Sequence, residues 1–159
     1  MGNRYWVGGT ANWDATAGTK WATTSGGAGG AAVPTAVDDV FFDAASGAVT
    51  CTVTAAVNCL SINFSGFTGT LAGAFAIGVV NNVTIASGMT WTHNGALQIN
   101  GVCSFTSNGK TIASSIALNN AATNLTLADA LNTTNTITGY GEIYYFKKAY
   151  FLPNINAEN

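Results

Sequence analysis

The sequence predicts an all-β protein, a right-handed parallel β-solenoid of four or five rungs with a Trp-rich N-terminal cap. Three observations carry that prediction. Gly, Ala, Thr, Asn and Ser supply 93 of the 159 residues, which suits the narrow interior and tight corners of stacked rungs. Apolar and polar residues alternate in short runs rich in Val, Ile, Thr and Phe, the pattern of half-buried strands, and no stretch carries a helical period. Aligned as inward-looking aliphatics, Ile62, Ile85, Ile99, Leu118 and Ile137 recur irregularly at about twenty residues, and periods of roughly 20 to 50 mark solenoids and arrays. The competing architecture is a β-sandwich, whose two sheets need larger inward side chains to fill a core about 10 Å thick.

Taken in order, residues 1–37 form an irregular capping segment holding three of the four tryptophans and the loop Ser25-Gly26-Gly27-Ala28-Gly29-Gly30, which ends near Pro34. An open solenoid end exposes a strand edge that recruits other chains, so something has to cover it. Trp6, Trp13 and Trp21 are expected to form that plug, each burying about 150–250 Å². Residues 38–139 form the solenoid, with strands expected at Val40–Asp43, Val49–Thr54, Cys59–Phe64, Val83–Ala86, Ala96–Asn100, Val102–Thr106, Ile116–Asn119, Asn124–Leu127 and Thr134–Thr138. The pairs Asn94-Gly95, Asn100-Gly101 and Asn108-Gly109 fit hairpins or corners, because Asn and Gly tolerate the left-handed backbone of tight bends. Residues 140–159, with Tyr140, Tyr144, Tyr145, Phe146, Tyr150 and Phe151 around Lys147 and Lys148 in the sequence, are expected to form an aromatic tail that either folds back as a cap or docks on another subunit or a larger particle.

Composition excludes several classes. Only 8% of the residues are charged, against roughly a quarter in an average domain. Hydrophobic residues make up 48%, which is too many for a disordered chain. The net charge of −2 and the absence of a basic patch argue against a nucleic-acid partner. No apolar run reaches the ~18 residues of a membrane span, and the first residues lack the apolar core of a secretory signal. A soluble chain with no membrane partner is therefore expected. Cys51, Cys59 and Cys103 form an odd set without a C-x-x-C, so buried free thiols are expected rather than disulfides or a zinc site.

The leader Arg4-Tyr5-Trp6-Val7-Gly8-Gly9, with Asn12-Trp13-Asp14, Trp21, Val33-Pro34 and Asp38-Asp39-Val40-Phe41-Phe42-Asp43, resembles the opening of β-helical proteins of tailed phages and phage-like environmental sequences. The stretches Cys59–Leu71 and Ser107–Ile116 resemble the same group. A similar opening occurs in large bacterial surface passengers that are right-handed β-helices. The resemblance covers residues 4 to about 139 and implies a virion or surface setting. After Thr138 the chain departs from it, because such proteins add further rungs where this one is expected to end in its aromatic tail.

Few residues invite chemistry. Asp38, Asp39 and Asp43 form the one acidic cluster; a glycosidase pair needs carboxylates roughly 5–9.5 Å apart, and calcium needs a ligand loop that this spacing does not match. Strand-end and turn roles are expected for all three. His93 is expected at an exposed corner, since no nucleophile or second ligand lies near it in sequence. Trp91 is the candidate glycan contact, an aromatic face set among Thr and Asn. The sequons at Asn63, Asn82, Asn124 and Asn132 follow from a chain rich in Asn and Thr. In the tail, Tyr144, Tyr145, Phe146, Tyr150 and Phe151 are the candidate interface, because Tyr enrichment is typical of interface cores.

These readings converge on a non-enzymatic structural component of a phage virion: a tail fibre, spike or capsid-decoration protein. It would assemble in the host cytoplasm as a homo-oligomer, a trimer or a filament, alongside other virion proteins. No catalytic residue, metal or cofactor is expected. The rivals are a glycan-binding or adhesive module and a filament-forming protein, extracellular or on a cell surface. A polysaccharide-degrading β-helix stands behind them.

Overall fold

In the computed structural model, which describes residues 1–145, the chain winds into a parallel β-solenoid of about five turns. The leader contributes β1 (Asn3–Trp6), β2 (Ala11–Trp13) and β3 (Trp21–Ala22). The first turn runs through β4 (Asp39–Phe41), β5 (Thr50–Val53) and β6 (Val57–Cys59), and the second through β7 (Ser61–Asn63), β8 (Thr70–Gly73) and β9 (Ile77–Val79). The third comprises β10 (Val83–Thr84), β11 (Thr90–Trp91) and β12 (Leu97–Ile99); the fourth, β13 (Val102–Thr106), β14 (Thr111–Ile112) and β15 (Ile116–Leu118). The fifth holds β16 (Asn124–Leu127), β17 (Asn132–Thr133) and β18 (Ile137–Gly139), and β19 (Glu142–Tyr145) opens a sixth pass.

Each turn lays one strand on each of three walls. The first wall is the eight-stranded sheet β19-β16-β13-β10-β7-β4-β1-β3, the third the five-stranded sheet β18-β15-β12-β9-β6. The second begins as β11-β8-β5-β2 and continues as the pair β14-β17. Every pairing is parallel except β1 with β3.

Alternation inside these short strands decides which side chains line the interior, since successive residues face opposite ways. Stacking in register then builds columns. Val40, Ile62, Val83, Phe105 and Leu127 form one on the first wall, and Val57, Ile77, Leu97, Ile116 and Ile137 another on the third. Neighbours in these columns lie 19 to 22 residues apart, which is the physical origin of the period near twenty. Each fully buried Ile, Leu or Val stabilises the stack by roughly 1.5–3 kcal/mol relative to exposure.

The alignment read from sequence mixes walls. Ile62 belongs to the first wall, whereas Ile99 pairs with Leu118 on the third, and Ile137 stacks on Ile116. Ile85 lies past the end of β10 and donates its amide to Thr106 O at 2.9 Å. The stretch Cys59–Phe64 is not one strand: the chain turns a corner at Leu60, whose amide donates to Asp38 O at 2.8 Å, and splits it between β6 and β7. The leader is also more regular than expected, because β1 and β2 stack beneath β4 and β5 as a partial turn.

Candidate functional site

The N-terminal end is closed by aromatic packing. Trp6, Trp13 and Trp21 are fully buried around Phe42. Trp6 stacks on Phe42 at 5.6 Å and Phe42 on Phe64 at 4.9 Å, continuing the inward column of the first wall. Trp21 meets Trp6 at 5.1 Å and Trp13 at 5.2 Å, both in T-shaped geometry. Trp6 Nε1 donates to Gly9 O at 2.9 Å, while Trp13 and Trp21 Nε1 are buried without a hydrogen-bond partner among the described residues. Strand β3, running antiparallel, takes the outer edge of β1 that would otherwise recruit another chain.

The carboxylates of Asp38 and Asp43 are occupied structurally. Asp38 Oδ2 accepts from Thr35 N at 3.1 Å and Thr35 Oγ1 at 2.8 Å, and its Oδ1 lies 3.6 Å from the Arg4 guanidinium. Burial alone would raise this carboxyl, but the Thr35 bonds and the Arg4 charge outweigh it and hold the group below the ordinary carboxylate range. Asp43 caps a 3-10 turn over Ala44–Ser46, accepting from both the Ala45 and Ser46 amides, while Ser46 Oγ accepts from the Asp43 amide at 3.1 Å. Asp39 sits half-buried on β4, paired with Asn3 and Ser61. Asp129 receives the Ser107 amide at 2.7 Å and that of Asn108 at 2.5 Å, clamping a corner where Asn108 has φ 48°. Nothing in the sequence near Asp129 points to that clamp, because its partners lie a full turn earlier.

Two expected surface residues lie in the core. Trp91 is 8% exposed, with its ring T-shaped against Phe64 at 5.9 Å and against His93 at 5.8 Å. It stacks in register on Leu71, so it presents no face to a sugar. His93 is fully buried rather than at an exposed corner. Its Nδ1 is 2.8 Å from Ser114 Oγ, its Nε2 2.8 Å from Phe75 O, and its carbonyl accepts from Trp91 Nε1 at 3.0 Å. Burial pushes the imidazole below its ordinary value, and the Phe75 bond only partly counters that.

Of the candidate interface, Tyr144 and the backbone of Tyr145 fall in β19, which pairs with β16 through Asn124 with Glu142 and Leu127 with Tyr145. The chain therefore does not leave the solenoid after Thr138: β18 and β19 carry the stack to the last described residue. Tyr144 is 47% exposed and donates its hydroxyl to the Glu142 carboxylate, a bond that raises the phenol above its usual range. Tyr140, at the corner before β19, is 83% exposed. Phe146, Tyr150 and Phe151 lie outside the described residues. Cys51, Cys59 and Cys103 are buried free thiols, as expected. Among the described residues no group of three or more His, Cys, Asp or Glu is placed to hold a metal ion.

No protein-family model, curated protein or solved structure matches this chain.

Proposed function

We propose that the chain is a non-enzymatic structural element, a rigid β-solenoid that assembles as a homo-oligomer within an external structure of the phage-virion kind: a tail fibre, spike or capsid decoration. The supporting observation is the difference between the two ends of the stack. At one end three buried tryptophans and the antiparallel β3 close the sheet. At the other, the first wall continues in parallel register to β19, with Tyr140 and Tyr144 turned outward. A solenoid closed at its N-terminal end and bearing exposed aromatics on its last described turn suits directional attachment. The resemblance of the leader to phage β-helical proteins supplies the setting, host cytoplasm followed by the virion. The glycan-binding reading loses its candidate residue, because Trp91 is packed against Phe64 and His93.

Native mass and shape of the full chain, by light scattering with negative-stain electron microscopy, test this reading. A discrete trimer or a regular filament, weakened by Tyr144→Ser, supports it. A monodisperse monomer at high protein concentration overturns it.

A further inference from the structure

The outward side of the second wall carries a repeat that neither packing nor capping requires. Thr50, Thr70 and Thr90 stand directly above one another in the β5-β8-β11 register. Thr111 lies 21 residues after Thr90, at the head of β14, which pairs with β17 rather than with β11. Two residues on, a parallel file reads Thr52, Ala72 and Thr92, the last donating its hydroxyl to Leu71 O. No Asp, Glu, Lys or Arg occupies an outward position of β5, β8, β11 or β14. Thr90, Thr92 and Thr111 are exposed, and among the described residues the hydroxyls of Thr70, Thr90 and Thr111 have no partner in the protein.

Beneath this file the inward neighbours Cys51, Leu71, Trp91 and Ile112 are all buried, so the backbone that carries it is anchored from inside. Threonine is stiff at χ1, and strand geometry fixes the repeat at about 4.8 Å between rungs and about 6.7 Å along a strand. The result is a regular face of hydroxyl and methyl groups, continuous through Thr50, Thr70 and Thr90 and interrupted at Ala72 in the second file. A flexible ligand gains nothing from such regularity, whereas a ligand that is itself a lattice can meet several of these groups at once. The rung repeat is close to the spacing of oxygen atoms along the a axis of hexagonal ice. Crystalline polysaccharides are also periodic, but their faces are gripped by aromatic platforms, and the one aromatic of this wall's central strands, Trp91, points inward.

We propose that the threonine face of the second wall is an ice-binding surface, in which hydroxyls and methyls together order a layer of water that merges with the crystal. This proposal does not depend on the assembly reading. Its test is thermal hysteresis and inhibition of ice recrystallisation by the full chain, with Thr70→Tyr and Thr90→Tyr placed on the continuous file. Gln98→Tyr, on the third wall, serves as the control. The expected result is a measurable hysteresis gap, lost in both threonine variants and kept in Q98Y, with unchanged circular dichroism throughout. Should the Tyr variants misfold, the double variant T70S/T90S keeps the hydroxyls and removes the methyls; it is expected to lose most of the gap. A folded wild-type chain that shows neither effect overturns the proposal, as does equal loss in Q98Y, no loss in a folded threonine variant, or adsorption to cellulose or chitin without ice activity.

Discussion

His93 Nδ1 lies 2.8 Å from the hydroxyl of Ser114, a residue 21 positions further along the chain and one turn up the stack. Proton counting fixes how the pair is used. Phe75 O can only accept, so Nε2 carries the ring proton; the Ser114 hydroxyl then donates to Nδ1 of a neutral imidazole. Trp91 Nε1 takes care of the His93 carbonyl. A second ring proton would force the Ser114 hydroxyl to turn toward His93 O, 3.0 Å away, and would place an unpaired charge in the core.

Stability is therefore expected to depend on pH near neutrality. The folded imidazole titrates below its ordinary value of 6.5 because burial disfavours the charged form. In that window the unfolded chain binds more protons than the folded one, so stability is complete above pH 6.5 and declines as pH falls toward the folded value. A further loss is expected below pH 3.8, where Asp14 and Asp38, both held below their ordinary value, become protonated. Urea melts across this range measure both phases. The variant H93Q is expected to flatten the upper phase and leave the acid phase in place; an unchanged upper phase would assign it to another group.

Phe42 is the hub of the N-terminal plug, with its ring 4.9 Å from Phe64, 5.3 Å from Phe67 and 5.6 Å from Trp6. Phe42→Ala is expected to cost about 3–5 kcal/mol, and Phe42→Leu clearly less. Denaturant midpoints read the cost, and near-ultraviolet circular dichroism reads the loosened tryptophans. Equal midpoints for the two variants would show that the cavity relaxes freely.

Gly73 and Gly109 separate steric from conformational effects. Both have positive φ, 114° and 76°, but a Cβ on Gly73 would fall 2.2 Å from Val53 O, whereas one on Gly109 would meet nothing within 4 Å. Gly109→Ala is expected to cost about 1–2 kcal/mol, the strain of a left-handed residue. Gly73→Ala is expected to cost considerably more, because β5 and β8 would have to part. Comparable melting temperatures for the two would rule out that clash.

The three thiols are expected to be inert in the folded chain. All are buried, and burial raises each above its usual range, Cys103 to about 12. Labelling with a thiol-reactive chromophore is expected to proceed only on unfolding, with the same denaturant midpoint as circular dichroism. Rapid labelling of one thiol in buffer would reveal local opening of its turn.

The fold was legible because alternation, Asn-Gly corners and scarce charge all pointed to stacked short strands. Register was not, because turns of unequal length shift the columns and three walls share similar apolar residues. Strands such as Thr70–Gly73, Ile77–Val79 and Thr111–Ile112 are short or contain glycine, so propensity gives little signal and the pairing of neighbouring turns decides them. The placing of Trp91 and His93 was recoverable: in Thr90-Trp91-Thr92-His93-Asn94 the two rings fall on one face and the polar residues on the other. The partners Ser114 and Phe75 were not, since each lies about a turn away in sequence.

The column above Trp6 changes character as it climbs, from Phe42 and Phe64 to Ile85 and then to Ser107, which stands over Ile85 by the β10-β13 register. Near the far end Leu131, Ile137 and Ile143 are only partly buried. Coupling between turns in such a stack is nearest-neighbour in kind, so among the described residues stability is concentrated in the first turns. Amide exchange is expected to advance as a front from the fifth turn toward the tryptophans, and a turn excised from one place could not be grafted at another.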